Sequence, residues 1–295
     1  MKVGFKVPPH WVSWPEMREL WRIGGQLDVF ESAWTMDHLE LGDGAVWESW
    51  TSLASLAHLV PGRTVGQLVG ANPFRHPALV AKMATVMDHA TEGNFVLGIG
   101  SGSWPPELAA FGLSEAGDPE RLRDLEAGLK VIRALFGRDG FAPAAEVSLD
   151  LPPYRLQAAR NDPPPFTPGG PPIWLGTQGE KVGPRLVAQY ADGWNYSSVD
   201  GDVDVFRRKR DIYLSRCADV GRARSEVTIS AQFLIDDHGA ARDAALALGE
   251  EGCEHVILFM DPRRGPRELE AIARNIAEPI HAWRHARSMM TSAGR

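Results

Sequence analysis

Asp37 and His38 stand side by side at the end of a short apolar run, residues 31–36. An imidazole beside a carboxylate suits general acid or base work, because its unperturbed pKa lies at roughly 6.5. The pair also reads as a helix N-cap aspartate followed by an incidental histidine, and spacing alone leaves both readings open. Three further stretches close apolar runs with small residues. Gly70-Ala71-Asn72-Pro73-Phe74-Arg75-His76-Pro77 is a turn ahead of a Pro-started helix. Gly98-Ile99-Gly100-Ser101-Gly102-Ser103-Trp104 would let a ligand approach the backbone closely, but its spacing is GxGxG, not the GxGxxG of dinucleotide folds. Gly176-Thr177-Gln178-Gly179 precedes a helix, where free N–H groups suit a phosphate. The chain carries no HExxH, CxxC, GxSxG or Walker loop. His281 and His285 could grip a metal at their spacing of four, but beside Arg284 and Arg287 they read as a solvated face. The basic run at 207–210 reads the same way.

These residues can meet only if the ends of distant runs are brought together. Apolar runs at 3–7, 31–36, 63–69, 95–100, 173–176, 192–196, 227–235 and 255–260 alternate with stretches of helical period. Those stretches fall at 15–27, 47–59, 76–90, 118–136, 180–190, 203–220, 240–249 and 266–277, with a further turn or two after Pro279. Near-continuous apolar strands mean parallel strands covered by helices. Eight units favour a closed (β/α)8 barrel over a doubly wound sheet, and a barrel carries its chemistry at the strand C-terminal ends. Residues 138–171 hold eight of the 22 prolines, too many for a helix. Segments 147–149 and 154–156 within them could pair as a hairpin. The 295 residues therefore read as one barrel, 1–295, with an insertion at 138–171 between units four and five. That leaves about 33 residues per unit, close to the roughly 250 residues typical of such barrels.

Composition narrows the classes. Apolar residues make up 44% and charged residues 23%, which suits a packed core rather than disorder. A net charge of −7 argues against a nucleic-acid footprint. No apolar run reaches about 18 residues, so no membrane span or partner is expected. The N-terminal residues lack the apolar stretch of a signal peptide, and Cys217 and Cys253 fit small buried side chains in a reducing cytoplasm. Of ten tryptophans, Trp34, Trp47, Trp50, Trp104, Trp174 and Trp194 lie near strand ends or helix starts. They could line a pocket for a flat ligand or simply pack a core.

On four segments the sequence resembles the bacterial luciferase-like superfamily of flavin- and deazaflavin-dependent barrels. These are 30–39 (FESAWTMDHL), 72–83 (NPFRHPALVAKM), 95–102 (FVLGIGSG), and 171–176 (PPIWLG) with 191–195 (ADGWN). The resemblance implies a (β/α)8 barrel with a cofactor ring in its mouth. It implies that Val69, Gly70 and Asn72 line the ring, with Ser101 and Gly102 touching it from the fourth strand. The polar tail would run toward Gly176, Thr177, Gln178 and Gly179, with Trp194 nearby. It further implies a non-prolyl cis peptide at Leu68–Val69. His38 would act as base or acid near the reacting carbon, and Asp37 would position that ring or the cofactor. The wording of the motifs is closer to the branch using coenzyme F-420, a deazaflavin that transfers hydride, than to the FMN-dependent, oxygen-using monooxygenases. Some deazaflavin dehydrogenases carry a glutamate directly after the fourth-strand glycines. Here Ser103-Trp104 stand there, and Glu107 lies a turn further on as a weak substitute. The expected protein is a cytoplasmic, homodimeric F-420-dependent oxidoreductase acting on a small molecule. Its substrate would be chosen by the 42–46 loop and the insertion. An FMN-dependent monooxygenase and a non-catalytic flavin-binding barrel are the alternatives.

Overall fold

The computed structural model describes residues 1–42, 44–198 and 200–293, so Asp43 of the 42–46 loop, Val199 and the last two residues of the chain lie outside the described residues. The strands are β1 (Lys2–Lys6), β2 (Ser32–Thr35), β3 (Thr64–Gln67), β4 (Gly70–Ala71), β5 (Phe95–Gly100), β6 (Val147–Leu151), β7 (Tyr154–Ala159), β8 (Ile173–Gly176), β9 (Gly193–Ser198), β10 (Thr228–Leu234) and β11 (His255–Phe259). All but β6 and β7 form one parallel sheet in the order β3-β2-β1-β11-β10-β9-β8-β5-β4. Val65 and Gly66 of β3 pair with Phe95 and Val96 of β5, which closes the ring. β4 continues the line of β3 beyond the Leu68–Val69 peptide, which is cis as the resemblance implies. The result is a closed eight-stranded barrel, built from the runs read in the sequence.

Side chains alternate across each strand. In β1, Val3 and Phe5 join the apolar layer under the helices, while Gly4 and Lys6 face the barrel interior. Trp34 and Trp174 meet in that interior, stacked with ring centroids 5.2 Å apart, and His255 packs edge-on against both. Gly66 makes room for them, since a Cβ there would come within 2.7 Å of the Trp34 ring. Ser32 Oγ accepts from Trp34 Nε1 and bonds His255 Nε2, each at 2.7 Å. Burial pushes the His255 imidazole down to about 3, so it is neutral at ordinary pH. Core packing is thus the correct reading of these two tryptophans.

The helices are α1 (Trp14–Gln26), α2 (Ser49–Leu56), α3 (Pro77–Ala90), α4 (Pro105–Ala110), α5 (Asp118–Leu135), α6 (Val182–Tyr190), α7 (Val203–Asp219), α8 (His238–Glu250), α9 (Pro266–Ile272) and α10 (Glu278–Ala293). Ser13 and Glu16 start α1 with a reciprocal capping box. Two segments differ from expectation. The helix does not end a turn or two past Pro279: after a π-helical stretch, Ala273–Ala277, α10 continues to Ala293. Arg207 and Arg210 do not simply face solvent; both pair with Glu251 at the end of α8.

The expected hairpin forms as β6–β7. The insertion packs onto the outer side of α3, where Asn161 donates to Thr85 Oγ1 (2.9 Å) and Thr167 N to Asp88 (2.7 Å). His281 Nε2 donates to the Val29 carbonyl (2.8 Å), and no His, Cys, Asp and Glu cluster among the described residues could hold a metal. Both cysteines are free and buried, and no described helix is long and apolar enough to cross a membrane.

Candidate active site

The C-terminal ends of the strands open into a cavity of about 960 Å³, a volume suited to a small-molecule or cofactor site. Of the residues singled out in the sequence, Asp37, His38, Val69, Ser101, Gly102, Gly176, Thr177, Gln178 and Gly179 line it. The fold therefore brings these residues together although Asp37 and Gly179 stand far apart in the chain.

His38 sits at the wall, 16% exposed, and its Nδ1 lies 3.1 Å from Glu107 Oε2. Glu107, on α4, is itself buried; its other oxygen accepts from the backbone N–H groups of Leu39 and Glu40 (2.8 Å to Glu40). A carboxylate accepts and does not donate, so the Nδ1 proton belongs on this bond. His38 Nε2 makes no hydrogen bond within the described residues and is left to the cavity. A short helix after the glycines thus swings Glu107 back onto His38. Its spacing from the motif concealed this.

Asp37, expected to position the His38 ring or the cofactor, lines the cavity with its carboxylate turned to protein donors. Its carboxylate is filled by Arg75 Nη1 (2.6 Å), Arg75 Nη2 (3.2 Å) and the Ala71 N–H (3.1 Å). Arg75 also pairs with Glu48, the N-cap of α2, which accepts from Trp50 N and Thr51 N. Burial pushes the Asp37 carboxyl up, against the pull of Arg75. The pair ties the end of β2 to the end of β3 and fixes the backbone that carries His38.

Val69 is held from both sides. A Cβ on Gly100 would fall 2.9 Å from one Val69 methyl, and a Cβ on Gly176 would fall 2.6 Å from the other. These strand-end glycines, which also line the cavity, therefore make room for the valine.

Gly70, Asn72 and Trp194 do not line this cavity. Gly70 is buried beneath the wall, where a Cβ would meet the Gly98 carbonyl at 3.2 Å. The Asn72 side chain turns away to donate to the Tyr154 hydroxyl (2.9 Å), toward a separate cavity of about 640 Å³. Trp194 points outward, stacked on Tyr213 at 4.1 Å. Both donate to the Thr177 carbonyl at 3.0 Å, and Lys209 donates to the Gln178 carbonyl at 2.7 Å. Trp194 thus holds the 177–179 loop from behind.

The insertion contributes no residue to the main cavity, and neither does the described part of the 42–46 loop. The wall expected from them comes instead from 101–122, including Trp104, Leu108 and Leu122, and from 176–183. Among the lining residues that escaped the sequence reading are Lys6, Gln232 and Phe259, from β1, β10 and β11. One signal was present, a lone charge inside the apolar run Val3–Val7, which marks a side chain turned inward.

The profile of the luciferase-like monooxygenase family matches residues 18–291. The phthiodiolone/phenolphthiodiolone dimycocerosates ketoreductase of Mycobacterium tuberculosis is 30% identical over 238 residues, which is 77% of this chain and 56% of that protein. The chain thus spans little more than half the length of such relatives. An F420-dependent secondary alcohol dehydrogenase, solved with an F420-acetone adduct, superposes with a TM-score of 0.75 at 14% identity, covering 88% of this chain and 93% of the other. The oxygenating constituent of the Pseudomonas putida 3,6-diketocamphane monooxygenase, solved with FMN, gives a TM-score of 0.61 at 16% identity, covering 85% and 73%. At such identities these likenesses speak to the fold.

Proposed function

The chain belongs to the luciferase-like monooxygenase family, and from that premise we propose that it is a coenzyme F-420-dependent oxidoreductase acting on the carbonyl or alcohol carbon of a small organic molecule. The observation that carries this reading is His38 at the cavity wall, its Nδ1 held by buried Glu107 and its Nε2 left to the cavity.

The cavity fits a flat ring with a polar tail. Leu68, Val69, Phe74 and Phe259 give apolar walls, and the small-residue segment 176–179 leads to the start of α6, whose first N–H groups are free to meet an anion. Val69, Ser101 and Gly102 would hold the ring, and Gly176, Thr177, Gln178 and Gly179 the tail. When bound, a reduced deazaflavin supplies a hydride. The chain's own residues supply the rest. His38 Nε2 gives a proton to the substrate oxygen as the carbonyl is reduced, or takes it in the reverse direction. With Nδ1–H held by Glu107, Nε2 of the neutral ring is the base for the alcohol-to-carbonyl direction, and in the reduction the Nε2 proton comes from the imidazolium that the Glu107 carboxylate would stabilise. Asp37 and Arg75 keep the backbone of His38 in place, and the apolar walls exclude water. The names of the ketoreductase relative and of the alcohol dehydrogenase neighbour support the substrate class.

Reduced F-420 mixed with a panel of ketones and aldehydes under strict anaerobiosis is expected to be oxidised only when the protein is present. A strict need for oxygen and reduced FMN would instead make the chain a monooxygenase. Ring binding without turnover of either kind would make it a binding barrel.

A further inference from the structure

Building on the flavin-type ring reading above, we propose that Lys6 is the anion-holding group of the cavity, and that its Nζ carries the positive charge that balances an anionic bound ring. Lys6 is the last residue of β1, 3% exposed, and lines the cavity. Its Nζ donates to the Leu68 carbonyl (2.7 Å) and to Gln232 Oε1 (2.6 Å), and lies 4.6 Å from the centroid of the Phe259 ring. An ammonium has three N–H groups, and these two acceptors leave one for a ligand.

The acceptor at Gln232 is built in. Gln232 Nε2 donates to Asn195 Oδ1 (2.6 Å), Asn195 Nδ2 donates to Ser230 Oγ (3.0 Å), and Ser230 Oγ donates to the Trp194 carbonyl (3.0 Å). The Gln232 amide cannot turn over without breaking that chain, so its oxygen stays on Lys6. Three polar side chains in the barrel interior, anchored on a backbone carbonyl, thus serve to place one amine.

What is missing is a counter-charge. Lys6 makes no ion pair among the described residues, and Asp37 on the same cavity is taken by Arg75. The groups facing it from β3, β10 and β11 are a carbonyl, an amide and a phenyl ring, all uncharged. From the loop after β1 comes His10, held neutral at about 4 by burial and by the neighbouring His38 and Lys6; Asp261 and Arg263 past β11 act on it in opposite directions. His38 stands just past β2, and its partner Glu107 comes from α4. Burial pushes the Lys6 amine down to about 7. A buried amine without a partner is costly, and a ligand that brings negative charge removes that cost. Reduced flavins and deazaflavins do so near neutral pH.

The sign follows from linkage. At pH 8 the apo-protein amine is largely neutral, and an anionic ring raises its proton affinity, so binding takes up a proton. The test is calorimetric titration of the full chain at pH 8 in two buffers of different ionisation enthalpy. The probe is reduced FMN or reduced F-420, whichever the parent protein binds, under anaerobiosis. The parent is expected to take up up to one proton more than Lys6→Met, and the variant to bind the reduced ring about 10–100-fold more weakly, the size of a lost charge-assisted hydrogen bond. Near-UV circular dichroism checks that the variant folds. If it does not, the parent alone suffices, because its affinity for the reduced ring should fall as pH rises above about 7. Equal proton uptake and equal affinity in parent and variant, or a flat pH profile in the parent, would overturn the role of Lys6 and leave the ring-binding reading standing. No binding of either ring would overturn both.

Discussion

Replacing His38 with alanine is expected to lower turnover by about 10²–10⁴-fold, the range for loss of a positioned acid or base. Cofactor affinity should stay within a few-fold, because the loops at 101–102 and 176–179 are untouched. The expectation rests on one ring nitrogen. Nδ1 is occupied by Glu107, so Nε2 is the atom that can serve a substrate oxygen. Glutamine at the same position should fare little better, since an amide neither gives nor takes a proton. A shift of the pH–rate profile, lost together with kcat in His38→Ala, would separate proton transfer from mere packing. Unchanged turnover with the cofactor still bound would remove His38 from the mechanism.

Arg75→Ala is expected to cost about 3–5 kcal/mol of stability at neutral pH, the usual result of stripping one partner from a buried ion pair. The Asp37 side chain is fully buried, and the Ala71 N–H is the other donor it has. Burial already pushes its carboxyl up, and without Arg75 it would rise further and take up a proton. A group whose folded pKa is raised stabilises the fold below that pKa and loses the contribution as pH rises. The deficit of Arg75→Ala should therefore shrink on lowering the pH from 8 toward 5, and adding Asp37→Asn should recover part of it. Urea unfolding of the single and double variants reads both effects. A loss below about 1 kcal/mol would show the pair to be no stronger than a surface ion pair.

Much of the architecture was legible because it depends on local pattern. Eight apolar runs, each followed by a helical stretch, correspond to the eight strands of the closed barrel, and the Pro-rich interruption contains the β6–β7 hairpin. His38 and the small-residue loops were legible as strand-end motifs. Contacts that cross the fold were not. Glu107 meets His38 over 69 positions of sequence, and Gln232 meets Lys6 over 226. No spacing rule encodes such distances. The side-chain partners of Asp37 and Asn72 were hidden for a related reason: their motif positions were visible, but Arg75 and Tyr154, which bond their side chains, were not identifiable as partners. Where the insertion packs was not legible, because proline content shows that a segment is irregular without showing what it covers. It covers α3, away from the cavity.

The deazaflavin assignment stands or falls most directly on a parallel fluorescence titration of the purified chain with coenzyme F-420 and with FMN. Saturable quenching of F-420, with no saturable change in FMN, is the expected result. Saturable binding of FMN without binding of F-420 would contradict it.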